Sequence, residues 1–280
     1  MAGRVILWLV TVPRRAAVLA ALAACAVPAT AAAAPRSATS SNWAGYAVSK
    51  PSTTFSRVSG TWVQPNVTCA QGRRRYSAHW LGLGGLHSYS RALEQIGTEA
   101  DCAQGTPVHS VWYEIVPAAP VPVHITVRPG DTISASVTVT GHSVKLFLAN
   151  RTRGTTFTKQ LVANQVDVTS AEWISEAPSA CFGNGDCTTL PLANFGTASF
   201  ANARVTSTTG HVGPIADPAW SSVAITLSSH HRSGARPGFM PDGRGSASAA
   251  PGDLAMTGDA FTVTYADNTG APAPVPPVQS

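Results

Sequence analysis

Acidic side chains are scarce in this 280-residue chain: 14 in all, none of them before Glu94. Their positions therefore carry information. Between residues 90 and 180 they are Glu94, Glu99, Asp101, Glu114, Asp131, Asp167, Glu172 and Glu176. Glu114 stands inside Val111-Trp112-Tyr113-Glu114-Ile115-Val116, and Glu176 closes Ala171-Glu172-Trp173-Ile174-Ser175-Glu176. In such apolar runs a carboxylate is costly unless it is partnered or put to use. A positioned carboxyl can act as general acid or base. Glu172 and Glu176 share a strand face but lie four residues apart, roughly 13 Å at ~3.3 Å per residue. That is too far for the carboxyl pair ~5 Å apart of a retaining glycosidase. A glycosidase would have to use Glu114 with Glu176.

Other chemistries lack their signatures. The chain has no Gly-x-Ser-x-Gly elbow, no His-Glu-x-x-His and no phosphate-binding glycine loop. None of the eight histidines sits in a recognised motif, and His79 beside Trp80 reads as a packed sheet residue. No Cys-x-x-Cys occurs, and no histidine stands at zinc spacing. No metal and no cofactor is expected.

The elements that must position these groups read as short strands. Blocks of alternating character cover 42–48, 55–63, 78–83, 92–97, 110–116, 123–127, 132–139, 143–148, 155–161, 171–176, 199–205, 222–227 and 260–265. Turn signals such as Arg128-Pro129-Gly130-Asp131 and Arg151-Thr152-Arg153-Gly154 separate them. No stretch keeps a helical period for three turns. The fold class is all-β, an antiparallel sandwich or barrel. One domain is expected over 41–267, after a short polar linker at 35–40. Residues 228–258, rich in Gly, Ser, Ala, Pro and Arg, read as a long loop insertion. The end at 268–280 reads as a disordered, proline-rich tail.

The N-terminus reads as an export signal over 1–34. Arg4, Arg14 and Arg15 precede an apolar run over 16–27, followed by Ala-x-Ala choices such as Ala29-Thr30-Ala31. That run is about half the ~20 residues of a membrane span. Leu22-Ala23-Ala24-Cys25 also fits a lipoprotein box, so anchoring through Cys25 stands as the alternative to secretion. Without Arg4, Arg14 and Arg15 the 19 basic residues become 16 against 14 acidic ones. This near-neutral balance does not suit a nucleic-acid partner, and Arg73-Arg74-Arg75 reads as a solvated loop. The four remaining cysteines, Cys69, Cys102, Cys181 and Cys187, are an even set in an exported chain and suggest two disulfides. The turn-forming Phe182-Gly183-Asn184-Gly185-Asp186 brings Cys181 to Cys187, which leaves Cys69 for Cys102.

Seven blocks, in order, resemble the glutamic peptidases of the eqolisin family, peptidase family G1. They are Ser41-Asn42-Trp43-Ala44-Gly45-Tyr46, Val58-Ser59-Gly60-Thr61-Trp62-Val63-Gln64-Pro65, Ala78-His79-Trp80-Leu81-Gly82-Leu83-Gly84-Gly85 and Ala92-Leu93-Glu94-Gln95-Ile96-Gly97. Val111-Trp112-Tyr113-Glu114-Ile115-Val116-Pro117, Pro129-Gly130-Asp131-Thr132-Ile133 and Ala171-Glu172-Trp173-Ile174-Ser175-Glu176 complete the set. The resemblance implies a concanavalin-like β-sandwich of two curved antiparallel sheets and a secreted endopeptidase acting on proteins or peptides. By position its catalytic pair is Gln95 and Glu176. Trp43, Trp80, Trp112 and Glu114 are the expected substrate-binding residues, and the protein is expected to be a monomer. The chain departs from the fungal pattern at Gly84 and Ser110, where that pattern carries aspartate. The expected optimum is acidic, but less extreme than the pattern implies.

The pair is chemically sufficient for peptide hydrolysis. A carboxylate can take a proton from water and later give it to the leaving amine, while a Gln N–H can stabilise the oxyanion. Gln95 shares a strand face with Leu93 and Gly97, and Glu94 points the other way. The competing reading is a non-catalytic β-sandwich module that binds carbohydrate or peptide through its tryptophans.

Overall fold

The computed structural model describes residues 34–181, 187–228 and 247–267. Residues 1–33 of the expected export signal, Cys25 among them, residues 229–246 of the expected loop and the tail at 268–280 lie outside these.

The described residues form strands and connecting turns, with no helix among them. In chain order the strands are β1 Arg36–Ser40, β2 Trp43–Ser49, β3 Phe55–Val63, β4 Ala78–Leu83, β5 Leu93–Ala103, β6 Thr106–Val116, β7 Val121–Val123, β8 Thr132–Thr140 and β9 Ser143–Asn150. They continue as β10 Thr155–Val162, β11 Ser170–Glu176, β12 Ser179–Cys181, β13 Cys187–Thr189, β14 Thr197–Ser207, β15 Val212–Pro214, β16 Ser221–Ser228, β17 Ala247–Pro251 and β18 Phe261–Asp267. One ladder runs β10-β9-β8-β3-β14-β18-β17-β16-β2-β11-β4-β5-β6-β7, with β1 beside β16 and β15 beside β14. It folds over on itself, so that β3 packs on β4 and β11, and β8 and β9 pack on β5. The result is a sandwich whose two layers belong to one continuous sheet. All pairings are antiparallel except β1 with β16.

Strand patterns explain the layers. In β8, Ile133, Ala135, Val137 and Val139 alternate inward, as do Val144, Leu146 and Leu148 in β9. They meet Leu81, Ile96 and Trp173 from the facing layer, with Trp62 and Phe200 between. β4 and β11 are buried on both faces, apart from Glu176 at the end of β11. Their outer face is closed by its own side chains packing together, in the second apolar cluster of Ala47, Ala78, Trp80, Leu93, Trp112, Ile174 and Ile225.

Three expectations need correction. The linker at 35–40 is largely β1, because its backbone finds a parallel partner in β16. The insertion at 228–258 contains β17, which closes the ladder between β16 and β18. The strand placed at 123–127 is instead the short β7 at Val121–Val123, set by its pairing with β6 rather than by side-chain alternation.

Both disulfides join the expected partners, Cys69 with Cys102 and Cys181 with Cys187. Cys102 lies two residues before Gln104, at the tip of the β5–β6 hairpin. Replacing Cys69 and Cys102 together by alanine removes a bridge of sequence separation 33. In the chain-entropy picture the loss is about 3–4 kcal/mol of unfolding free energy. Urea denaturation of variant and parent measures it, and an unchanged midpoint would show that the hairpin tip needs no tie.

Candidate active site

The outer face of the β2-β11-β4-β5-β6 layer collects the chemically capable residues. Antiparallel partners point to the same face, so the register sorts them into rows across the strands. One row holds Glu172 on β11, Gly82 on β4, Gln95 on β5 and Glu114 on β6. The next holds Ile174, Trp80, Gly97 and Trp112. A third holds Glu176, Ala78, Glu99 and Ser110, with Trp43 of β2 opposite Glu176.

The pairing of Gln95 with Glu114 follows from the hairpin that joins their strands. Ala103 pairs with Thr106, leaving Gln104-Gly105 as a two-residue loop with both residues at positive φ. That is the turn whose twist matches flanking strands, and it fixes the register. Nine residues down the hairpin, Gln95 must meet Glu114. A slip of one residue would send Glu114 to the core side. Gln95 is 4% exposed, and its Nε2 donates to Glu114 Oε2 at 2.6 Å. Its Oε1 is buried without a hydrogen-bond partner.

Glu176 occupies the last position of β11. The Trp80 indole N–H donates to its Oε2 at 2.7 Å, and the Asn42 side-chain amide donates to its Oε1 at 2.9 Å. Trp80 is fully buried and lies edge-on to Trp43, with ring centroids 5.1 Å apart. Its place depends on Gly97: a Cβ there would lie 2.5 Å from Trp80 Cβ. Among the described residues no hydrogen bond joins Gln95 directly to Glu176. They are two strands apart and in different rows, and Glu114 links them: it accepts from Gln95, and its charge acts on Glu176.

Burial dominates the electrostatics. It pushes Glu176 up to about 7, against the hydrogen bonds of Trp80 and Asn42 and the nearby Trp43 indole, and the Glu114 charge adds to the rise. Burial also raises Glu114, which the hydrogen bond from Gln95 partly offsets. Glu172, with no exposed surface, is raised well above the carboxylate range by burial, then by Asp167 and Glu94. Among the described residues no cation compensates these groups. The ion pairs among the described residues are Arg153–Asp131, Arg204–Asp259 and His211–Asp217, all elsewhere. Nor do the described residues contain a His, Cys, Asp and Glu cluster suited to a metal ion.

The expected site residues thus share one face, but with distinct surroundings. Trp80 is committed to Glu176 rather than left open as a subsite wall. Trp112 is 8% exposed, with its indole N–H unpartnered, and Trp43 is half-buried. His79 is a core residue, fully buried against Ser175 and Phe195. Sequence reasoning missed Asn42 as a partner of Glu176, although Asn42 lies in the first of the seven blocks. It also missed what stands at the two departures from the fungal pattern. Ser110 donates to Glu99, so a carboxylate is present at that end of the row. At Gly84 a Cβ would lie 2.5 Å from Asp167 Cβ, so Asp167 fills the space of a side chain there.

Comparisons with known proteins agree on one family. Residues 41–228 match the profile of the Peptidase A4 family. Aspergillopepsin-2 of Aspergillus niger is 28% identical over 198 residues, which cover 62% of this chain and 67% of that protein. The crystal structure of scytalido-glutamic peptidase with a transition state analog inhibitor superposes with a TM-score of 0.63 at 25% identity, over 81% of this chain and 98% of that one. SCP-B, a member of the Eqolisin family solved in complex with the tripeptide Ala-Ile-His, shares the fold with a TM-score of 0.60 at 24% identity, over the same shares of the two chains.

The buried acids make stability depend on pH in a definite direction. Glu94 is pushed up to about 8 and Asp101 to about 7, both chiefly by burial. With Glu172 and Glu176 they keep protons that the unfolded chain has already released. The unfolded state then binds fewer protons, and stability falls as pH rises. His79 works in the opposite sense: burial, then His109, lowers it to about 3. Its opposing slope is halved at the ordinary histidine value of about 6.5 and fades over roughly the next pH unit. Between pH 6.5 and 8.5 the acids therefore outweigh that fading opposition. The Tm is expected to drop by at least about 5 °C over this window, at a few degrees per kcal/mol. A Tm that is flat or rising there, measured calorimetrically, would contradict the burial of these carboxyls.

Proposed function

The chain belongs to the Peptidase A4 family and is by that membership a peptide hydrolase, and we propose that it is a secreted glutamic endopeptidase using Glu176 as general base and Gln95 as oxyanion donor. Glu176 takes a proton from a water molecule as the water oxygen adds to the scissile carbonyl carbon. The electron pair of the C=O bond moves to oxygen, and a Gln95 N–H donates to that oxyanion. The second N–H of the same amide stays on Glu114. Collapse of the tetrahedral species breaks the C–N bond, and protonated Glu176 gives its proton to the departing amine. Protein or peptide substrates lie across Trp43 and Trp112. Two disulfides and the export-type N-terminus support an extracellular setting.

The observation that carries this reading is the environment of Glu176: a carboxyl partly withdrawn from water, held by two neutral donors, and electrostatically coupled to the acid that holds Gln95. A group that must be carboxylate in one step and acid in the next works best near its own pKa. Burial moves that point from the ordinary value of about 4.3 to about 7. We accordingly place the optimum in the weakly acidic to neutral range, above that of a solvated glutamate.

Glu176→Gln keeps the shape and one accepting oxygen for Trp80 or Asn42, but not both contacts, and removes the base. Turnover is expected to vanish while the fold persists. Gln95→Ala is expected to lower kcat by about 10²–10³, the usual cost of one oxyanion donor. Digestion of a fluorogenic protein substrate, with circular dichroism on the same samples, measures both. Wild-type rates from two folded variants would contradict the assignment and make Glu114 the next candidate.

A further inference from the structure

Glu172 plays no part in the steps above, yet it is the most deeply buried acid of the site face. It has no exposed surface, and the one polar side chain beside its carboxyl is the Ser170 hydroxyl of its own strand, which makes no hydrogen bond of good geometry to it. Such burial is costly, and a hydrophobic residue would fill the place more cheaply. Its row gives it a neighbour. Across Gly82, which has no side chain to intervene, lies Gln95, whose Oε1 is also buried and unpartnered. Two strand spacings of ~4.8 Å separate the two backbones. Both side chains rise from the same face on either side of Gly82, which places them within reach of each other directly or through one water. A Cβ on Gly82 would crowd Gln95 Cβ at 3.1 Å, so glycine keeps the passage open.

Glu114 cannot by itself fix which way the Gln95 amide faces. As a carboxylate it accepts from Nε2, but as a neutral acid it could equally donate to Oε1. A donor on the opposite side removes that ambiguity. We propose that Glu172 is the positioning residue of Gln95: its carboxyl O–H donates to Gln95 Oε1 and so holds the amide with its N–H groups toward Glu114 and the substrate. The inference rests on the reading of Gln95 as oxyanion donor.

The groups that face Glu172 favour the neutral carboxyl. Ser170 is on its own strand, Ala47 on β2 and Gly82 on β4 are uncharged, and the nearby charges are those of Asp167 and Glu94. Glu114 closes the far end of the row, and Glu176 lies four residues along β11. All of these charges are negative, so loss of the Glu172 proton is disfavoured from every side. Deprotonation at high pH would remove the donor and let the amide turn.

The test is a kinetic cycle on the full secreted protein. Glu172→Leu fills the space without a donor and is expected to lower kcat by about 10- to 100-fold through misplacement of a catalytic group, with KM little changed and Tm equal or higher. Glu172→Gln supplies an N–H donor at every pH. It is expected to recover most of that loss and to keep its activity further into the alkaline range than the wild type. In the Gln95→Ala background, Glu172→Leu is expected to cost nothing more, because the two act as one unit. Should Gln95→Ala be impaired while Glu172→Leu matches the wild type in kcat and pH profile, the positioning role is wrong and the dyad stands. Should Gln95→Ala itself be fully active, the dyad reading fails, and this inference with it. Equal further losses from Glu172→Leu in both backgrounds would assign Glu172 a structural role only.

Discussion

Carboxyl groups partly withdrawn from water, with only neutral donors around them, govern what this face can do. Glu176 is held by an indole N–H and a side-chain amide, not by a cation. Neutral donors orient a carboxylate without stabilising it as strongly as an opposite charge would. The proton is therefore retained toward neutrality, and the group can serve as base and acid in turn. Had an arginine stood beside it, the carboxylate would be fixed in place and poor at giving a proton back. The sandwich limits water at that face: Trp43, Trp80, Ile174 and Leu93 pack together on it, and the main core supports it from the other side.

Backbone geometry does the aiming. The two-residue turn at Gln104-Gly105 sets the register that brings Gln95 to Glu114, and the Cys69–Cys102 bridge ties down the same hairpin end. Glycines clear the space between functional side chains. Gly97 lets Trp80 lie close to β5, and Gly82 opens the line from Glu172 to Gln95. Rigid strands rather than loops thus carry every group in the proposed mechanism.

The local alternation of the sequence shows most of the ladder, because a strand with one face in the core repeats every second residue. β8 and β9 are read this way almost to their ends. The outer half of the β5–β6 hairpin escapes, since Thr106, Pro107 and Val108 are exposed and show no alternation. β1, β17 and the short β15 escape for a related reason: they exist through a pairing partner, and pairing leaves no local trace. The two disulfides are legible because the Cys181–Cys187 turn reduces the choices. At the site, Gln95, Glu114 and Glu176 stand out through the family blocks and their apolar setting. Their rows do not, because register across strands is set by a turn many residues away. For that reason Asn42 as a carboxylate holder, Glu99 under Ser110 and Asp167 in the space beside Gly84 become visible only in three dimensions. The fungal aspartates are missing from their positions in the sequence, while carboxylates stand close by from other strands.

The most direct test of the central claim is to titrate Glu176 itself. Difference infrared spectra of the carboxyl C=O stretch, taken between the wild type and Glu176→Gln across pH 3 to 9, isolate this one group. The protonated band is expected to persist through the ordinary glutamate range and to disappear with a midpoint near 7, where burial places it. A midpoint near 4.3, the value of a solvated glutamate, would mean that the carboxyl meets bulk water. The coupling of burial to acid–base function argued for this site would then be wrong.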